Sequence, residues 1–380
     1  MKILFWINVA LLVYAMFGYP LTLWIIDKIS KKQNIKNYSK DKKVSVIISA
    51  YNEEKVIEKK LSNMLTMDYP DLEIIVANDG SSDKTQEIVE DFIEKHKDYD
   101  IKILNVTSRK GKTNAQNEAV DFSNGDIIVF SDANSMFKED AITELISYFT
   151  DENIEYVCGR LVYINDKEYV SANAENSYWN LDLFERKVES NISSIAAGNG
   201  AIYACRKKDY RHYNLISSHD YEMPLAAGLN HKRALFNPDA IAYEKAGENA
   251  ADEFKRKVRM QRRILTNIFT NLRRLNFFEY KSFAFFHFGH KTLRFLQAFF
   301  HIMIFVTNIF LLKQGFYLFC FICQIVFYLL AICGKIFKLE NKIFYFPMYY
   351  SMTLLAQLKG AYNEFTGKSK PTWEKAESTR

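Results

Sequence analysis

Between residues 44 and 131, four short β-rich runs alternate with segments of helical periodicity, and this alternation restricts the fold more than any other feature. The runs are VSVIIS (44–49), EIIVAN (73–78), IKILNV (101–106) and DIIVFS (126–131). Between them, 54–66, 84–97 and 112–122 carry apolar residues at helical spacing. Strands joined in this way pair in parallel and are covered by their crossover helices, so an α/β domain is expected. Ligands of such sheets bind beyond the C-terminal strand ends. Polar residues stand there in succession: Asn52 and Glu53 after the first run, Asp79 after the second, Asp132 and Asn134 after the fourth. One acid at a strand end is readily a helix cap, and Asp83 ahead of Lys84 reads as one. Acids after three separate strands, converging on one edge, predict a ligand site.

What is missing narrows the chemistry. Neither G-x-G-x-x-G nor G-x-x-x-x-G-K-[ST] follows the first strand, so both common backbone phosphate cradles are absent. A divalent cation on carboxylates is the other way to hold phosphate. Asp132 and Asn134 offer hard oxygen ligands suited to Mg²⁺ or Mn²⁺. Arg109, Lys110 and Lys112 surround Gly111 after the third strand. Alone, that cluster reads equally as a solvated basic turn or as a phosphate-facing one.

The two ends of the chain have a different character. No charge falls between Lys2 and Asp27, a stretch about 36 Å long as helix, enough to cross a bilayer. Lys28, Lys31, Lys32, Lys36, Lys40, Lys42 and Lys43 follow, which places the next region in the cytoplasm by the positive-inside rule. Segments 295–312 and 314–334 are uncharged and predict a transmembrane hairpin, whereas 343–358 contains Pro347 and is compatible with spanning, re-entry or the surface. Before the hairpin, FAFFHFGHKTLRFLQAFF mixes aromatics with His287, His290, Lys291 and Arg294. It reads as an interfacial helix with its cations at the headgroups, or as a core helix of the soluble domain. The expected division is a transmembrane helix (1–27), a basic cytoplasmic linker (28–43), a cytoplasmic domain (44–275), an interfacial helix with the hairpin and a third short apolar segment (276–358), and a polar tail (359–380). A net charge of +5, from 50 basic and 45 acidic residues, is too mild for a nucleic-acid binder. The 5 cysteines form no paired framework, and Cys320 and Cys323, inside an apolar run, read as lipid-facing or packing residues.

Taken in order, VIISAYNEE, VANDGSSDKT, SRKGKTNAQN and FSDANS resemble the motifs of the family 2 glycosyltransferases, inverting enzymes that use nucleotide-diphosphate sugars. AAGNGAIYACRK (196–207), SHDYEMPLAAGLNHKRALFNPDAIAYEK (218–245) and EFKRKVRMQRRI (253–264) continue the resemblance, which covers about 44–265. The membrane flanks are similar to those of the membrane-bound members. The resemblance implies a GT-A type, Rossmann-like, parallel-core sheet domain with N- and C-terminal transmembrane helices. Ala50, Tyr51 and Glu53 would line the nucleotide pocket, Asp79 would hold a uracil ring, and Lys112 would face the nucleotide or diphosphate. Asp132 would ligate the Mg²⁺ or Mn²⁺ ion, with Asn134 beside it where the family usually has Asp. Asp220, in HDYE, would be the catalytic base, with His219 replacing the usual Glu; the other reading of Asp220 is a helix cap. Gly198, Asn199 and Gly200 resemble the acceptor-lining segment, and Gln261, Arg262 and Arg263 stand where processive members carry Gln-x-x-Arg-Trp, without the Trp.

The expected function is sugar transfer from a nucleotide-diphosphate donor, a UDP-sugar by preference, to a lipid-linked or growing glycan acceptor at the cytoplasmic membrane face. The implied partners are the donor, the acceptor and membrane lipids, with no nucleic acid. Two alternatives remain open. One is a processive synthase of the cellulose, hyaluronan or poly-N-acetylglucosamine type, and the other is a non-catalytic nucleotide-sugar-binding scaffold.

Overall fold

The computed structural model describes residues 1–372 except 31, 107–108, 165–169, 246–249, 262, 271 and 340, with only the backbone described over 170–179. Eight strands form one sheet: β1 Val44–Ala50, β2 Leu72–Asn78, β3 Asp100–Asn105, β4 Ile127–Asp132, β5 Met136–Phe137, β6 Ile154–Tyr163, β7 Ile202–Arg206 and β8 Arg233–Glu244, in the order β3-β2-β1-β4-β7-β6-β8-β5. The first four are parallel, as the sequence predicts, with boundaries within one residue of those read from it. Their side chains alternate between two apolar cores. Val44, Val46, Ile48, Ile127 and Val129 enter one, and Ile47, Ile128 and Phe130 enter the other. A sheet covered on both faces explains why these strands read as unbroken apolar runs.

The other half of the sheet is mixed. β7 is antiparallel to β4 and β6, β8 runs parallel to β6, and β5 is antiparallel to β8. In the parallel half, register sets Ala50 beside Asn78 and Ser49 beside Asp132, so β1, β2 and β4 end almost level. That level edge is the floor of the site.

The apolar ends are helical. Lys2–Val13 and Tyr19–Ile29 run together through a π-turn at Tyr14–Gly18, giving 28 residues, and Gly315–Ile336 gives 22; both are long and apolar enough to cross a membrane. The first limb of the expected hairpin is helical only over Gln297–Ile309, and those 13 residues span about 20 Å, short of a bilayer core. It joins Phe277–Leu293 at a 63° bend, so the pair forms at most one broken span. The Lys342–Phe365 helix continues past the expected start of the polar tail and returns to the α/β domain. On the way Gln357 accepts from the Ala298 N–H of the Gln297–Ile309 helix at 3.1 Å, and Glu364 then accepts from the Thr266 N–H at 2.6 Å.

The linker is pinned along the domain. Lys36 pairs with Glu144 at 2.7 Å and Asp239 at 2.6 Å, and the Asn37 N–H donates to the Ser147 carbonyl at 2.7 Å. Part of the lysine run therefore docks the N-terminal helix onto the sheet.

Candidate active site

A cavity of about 690 Å³ opens over the C-terminal ends of β1, β2 and β4 and extends to the membrane-side helices. Its floor follows from local sequence. Each of these strands ends in a turn, leading to a helix after β1 and to β5 after β4, and polar residues just past the strand line the opening. Ala50, Tyr51 and Glu53 line it after β1, Asp79 after β2, and Asp132 and Asn134 after β4. Asp83 caps the Thr85–Lys95 helix, accepting from the Thr85 N–H at 3.0 Å, as expected of a structural acid.

Asp79 is almost fully buried and accepts from the backbone N–H groups of Lys110 at 3.0 Å and Gly111 at 2.9 Å. Burial pushes its carboxyl above the ordinary value, against the lowering effect of those two donors. Gly111 has φ +100°, which only glycine adopts freely, and this lets the loop wrap around the carboxylate. Beside it, the Arg109 guanidinium lies 3.7 Å from the Tyr51 ring centroid, a cation–aromatic layer on the cavity wall.

Lys112 opens the Lys112–Phe122 helix and joins the two halves of the cavity. Its ammonium contacts Oδ1 of Asp132 and donates to the Gly200 carbonyl at 3.2 Å. A Cβ placed on Gly200 would lie 3.9 Å from that ammonium and 4.0 Å from Cγ of Asp220, so one small open spot touches both. Asp132 and Asn134 sit on one turn as a carboxylate and a carboxamide facing the same space, a hard-oxygen donor set that fits Mg²⁺ or Mn²⁺.

Asp220 lies in the first turn of the His219–Leu229 helix, whose N-cap residue is Ser218. Its carboxylate lines the cavity and has no hydrogen bond or ion pair among the described residues. A capping role would have occupied it; the nearby Glu222 instead accepts from Ser217 at 3.0 Å and Asn267 at 2.7 Å. His219 is buried, with Tyr203 Oη 3.0 Å from Nδ1 and Tyr210 Oη 3.2 Å from Nε2. Burial, reinforced by Lys112, pushes its pKa down to about 3. It is therefore a neutral brace beneath Asp220.

The acceptor-side residues divide. The Gly198 N–H donates to the Asp220 carbonyl at 2.7 Å, and a Cβ on Gly198 would meet Tyr156 Oη at 2.1 Å. Asn199 lines the cavity but spends its side chain on the loop, accepting from the N–H groups of Ala201 at 3.0 Å and Ile202 at 3.1 Å. Gln261 turns away and packs on Gly360, whose added Cβ would lie 2.4 Å from the Gln261 Cβ. Arg263 lies outside the cavity lining, and Arg262 falls outside the described residues. From the same basic stretch Lys255, Arg256 and Arg259 do line the cavity.

Sequence reading missed the membrane end of the site. Asp182, Glu185, Arg186 and Glu189 occupy one face of the Val170–Ile192 helix, and that face is buried. The signal was their helical spacing, a charged stripe easily taken for a solvated face. His290, Lys291 and Arg294 face this stripe; they are turned inward, not to the headgroups as a surface helix would have them. His290 lies 3.0 Å from Asp182 and 2.8 Å from Glu189, and Arg294 pairs with Glu185 at 2.7 Å. Asp182, Glu185 and His290 could enclose a cation, but Arg186 and Arg294 already supply the positive charge there.

Such a sheet, with its ligand residues at level strand ends, is the GT-A type of α/β fold. The chain superposes on the mannosyltransferase PcManGT from Pyrobaculum calidifontis, a structure containing GDP-mannose and Mn²⁺, with a TM-score of 0.70 at 19% identity, over 96% of this chain and 99% of that one. Residues 45–213 match the family model described as glycosyl transferase family 2. It is 36% identical over 106 residues to a poly-β-1,6-N-acetyl-D-glucosamine synthase of Staphylococcus epidermidis, covering 28% of this chain and 25% of that protein. A probable glycosyltransferase of Bacillus subtilis, YdaM, is 42% identical over 130 residues, 32% of this chain and 30% of that one. A β-monoglucosyldiacylglycerol synthase of Trichormus variabilis is 29% identical over 164 residues, 41% and 34% respectively. The chain thus spans about a third or less of these relatives' length.

Proposed function

We propose that this chain is an inverting glycosyltransferase that moves a sugar from a nucleotide-diphosphate donor, a UDP-sugar by preference, to a hydroxyl of a lipid-linked or growing glycan acceptor at the cytoplasmic membrane face. The observation that carries the reading is the unengaged carboxylate of Asp220, facing the same cavity as Lys112 and Asp132. Asp220 takes the proton of the acceptor hydroxyl as its oxygen attacks the anomeric carbon from the face opposite the diphosphate. The bond to the leaving phosphate oxygen breaks with its electron pair, and Lys112 meets the charge that develops. Mg²⁺ or Mn²⁺, bound by Asp132 and Asn134, would offset charge on the same group. Asp79 and the Tyr51–Arg109 layer orient the nucleotide.

Single addition is favoured over processive growth because Gln261 packs on Gly360 and not in the cavity. Cytoplasmic placement rests on the lysine run after the first helix. The sequons at Asn37, Asn105 and Asn191 should therefore remain unglycosylated, and an impermeant thiol reagent labelling Lys40→Cys on intact cells would overturn the orientation.

The central test uses the full chain in detergent with Mn²⁺, a panel of UDP- and GDP-sugars, and a membrane lipid extract as acceptor source. Asp220→Asn should lower nucleotide release by about 10²–10⁴-fold, roughly 3–5 kcal/mol of barrier, while nucleotide binding changes less than twofold. Near-parent turnover in that variant removes the base assignment. Nucleotide binding without release from any donor points to the non-catalytic scaffold.

A further inference from the structure

Lys291 sits in the π-turn His287–Leu293, is only 9% exposed, and lines the cavity. Among the described residues it has no hydrogen bond and no ion pair. Its neighbours pair chiefly with other groups, although Oε1 of Glu185 has no hydrogen-bond partner among the described residues. Asp182 takes Arg186 at 2.6 Å and Arg294 at 3.2 Å, Glu185 takes Arg294, and Glu189 takes the Tyr19 hydroxyl at 2.6 Å and the Ala196 N–H at 3.0 Å. A buried ammonium without a partner is costly, and an anion from outside the chain would relieve it.

The donor does not supply that anion, because its phosphate-binding groups lie at the other end. Lys112 and Asp220 meet at Gly200, whereas Arg186, also on the cavity wall, pairs with Asp182 at 2.6 Å. Lys291 lies instead in the turn whose His290 contacts Asp182 and Glu189 and whose Leu293 packs with Ala15 and Phe300. The surroundings are those of a lipid. The turn bearing Lys291 follows the aromatic Phe277–Phe286 helix, packs against the N-terminal apolar helix, and leads to Phe295 on the cavity wall.

We propose that the acceptor is an anionic lipid whose phosphate, close to the hydroxyl that receives the sugar, binds Lys291 beside Arg186. The inference rests on the glycosyltransferase reading and specifies its acceptor class. A phosphate at Lys291 leaves the attached headgroup or sugar to reach Asp220, while the apolar chain leaves along the aromatic helix toward the bilayer. Polyprenyl phosphates that already carry a sugar and hydroxyl-bearing glycerophospholipids share this chemistry.

Binding without donor tests the proposal independently of turnover. Full-length protein in a neutral detergent is titrated with farnesyl phosphate and with short-chain phosphatidylglycerol, with farnesol and short-chain diacylglycerol as uncharged counterparts. At least one anionic probe should bind at least tenfold tighter than its uncharged counterpart, and the tighter one identifies the source. Lys291→Met should erase that difference, Lys291→Arg should retain it, and nucleotide affinity should stay at the parent value in both. Lys291→Met should melt no lower than the parent, since it removes an unpartnered buried charge. Equal binding of charged and uncharged probes, or full phosphate affinity in Lys291→Met, overturns the proposal. If the charge dependence holds while no donor is turned over, the glycosyltransferase reading fails and the anionic-lipid site stands.

Discussion

The proposed donor half and the proposed acceptor half of the cavity are built on opposite principles. At the donor end the charged groups already hold one another. Asp79 is wrapped by backbone N–H groups, Asp132 meets Lys112, and Arg109 lies on Tyr51. At the acceptor end Asp220 and Lys291 face the cavity with no partner among the described residues. A preorganised donor site binds nucleotide at little reorganisation cost. An acceptor site with open charges is completed by its substrate, so its binding energy appears only when the right acceptor arrives. The difference teaches that variants should separate cleanly into those that lose the donor and those that lose only transfer.

The largest effect that sharpens this contrast belongs to the donor end. Asp132→Ala should lower kcat/KM by about 10²–10³-fold, the scale of losing one group that stabilises developing charge, and should weaken the response to Mn²⁺. Asn134→Asp should equal or exceed the parent and bind Mn²⁺ more tightly. Metal titrations of release rate check both, and parent-like turnover of Asp132→Ala in limiting Mn²⁺ would break the comparison.

Gly198→Ala should act only on the acceptor side. Its Cβ would meet Tyr156 Oη at 2.1 Å, and Tyr156 is fully buried on β6, so the loop must shift. Overpacking of this kind costs about 1–3 kcal/mol. A lower melting temperature and roughly tenfold slower transfer are expected, with nucleotide affinity intact by calorimetry.

A third prediction concerns the opposite edge of the same parallel strands, away from the cavity. Glu73 on β2 is buried, and although burial opposes its charge, Lys102 at 2.6 Å, Ser45 and Asn124 hold its pKa at about 2, against an ordinary 4.5. Because the folded value lies below the unfolded one, its stabilisation is complete above about pH 4.5 and is lost as pH falls toward 2. The melting temperature should decline through that window, and Glu73→Gln should start lower and decline less.

The smallest effect is assigned to His219. Held near a pKa of 3, it stays neutral through the working range, so His219→Gln should keep activity within a few-fold and leave the acid limb of the pH–rate profile unmoved. A shifted limb would make His219 part of the proton path.

Much of the donor half was legible in the chain. Strands β1 to β4 were readable because each is a local run ending in its own turn, and the polar residues past those turns needed no distant partner to be placed. Asp79 and Asp132 could be nominated for the same reason, whereas Asp220 was nominated only through the resemblance of HDYE to the acidic motif of family 2 glycosyltransferases. The strands of the mixed half, β5 to β8, were not readable, since their pairing joins segments up to about a hundred residues apart; β5 pairs with β8 as Met136 against Tyr243. Three decisions belong to tertiary structure alone. The charged stripe Asp182 to Glu189 faces inward because His290 and Arg294 arrive from another part of the chain to meet it. Gln261 leaves the cavity because the returning Lys342–Phe365 helix packs over it at Gly360. The polar tail comes back to the nucleotide end, the Pro371 carbonyl lying 2.5 Å from the position of a Cβ on Gly111. Periodicity reports which face of a segment is apolar, and so it specifies secondary structure and the order of motifs. Which buried charges meet depends on contacts closed over long stretches of chain, and those are fixed only when the helices dock.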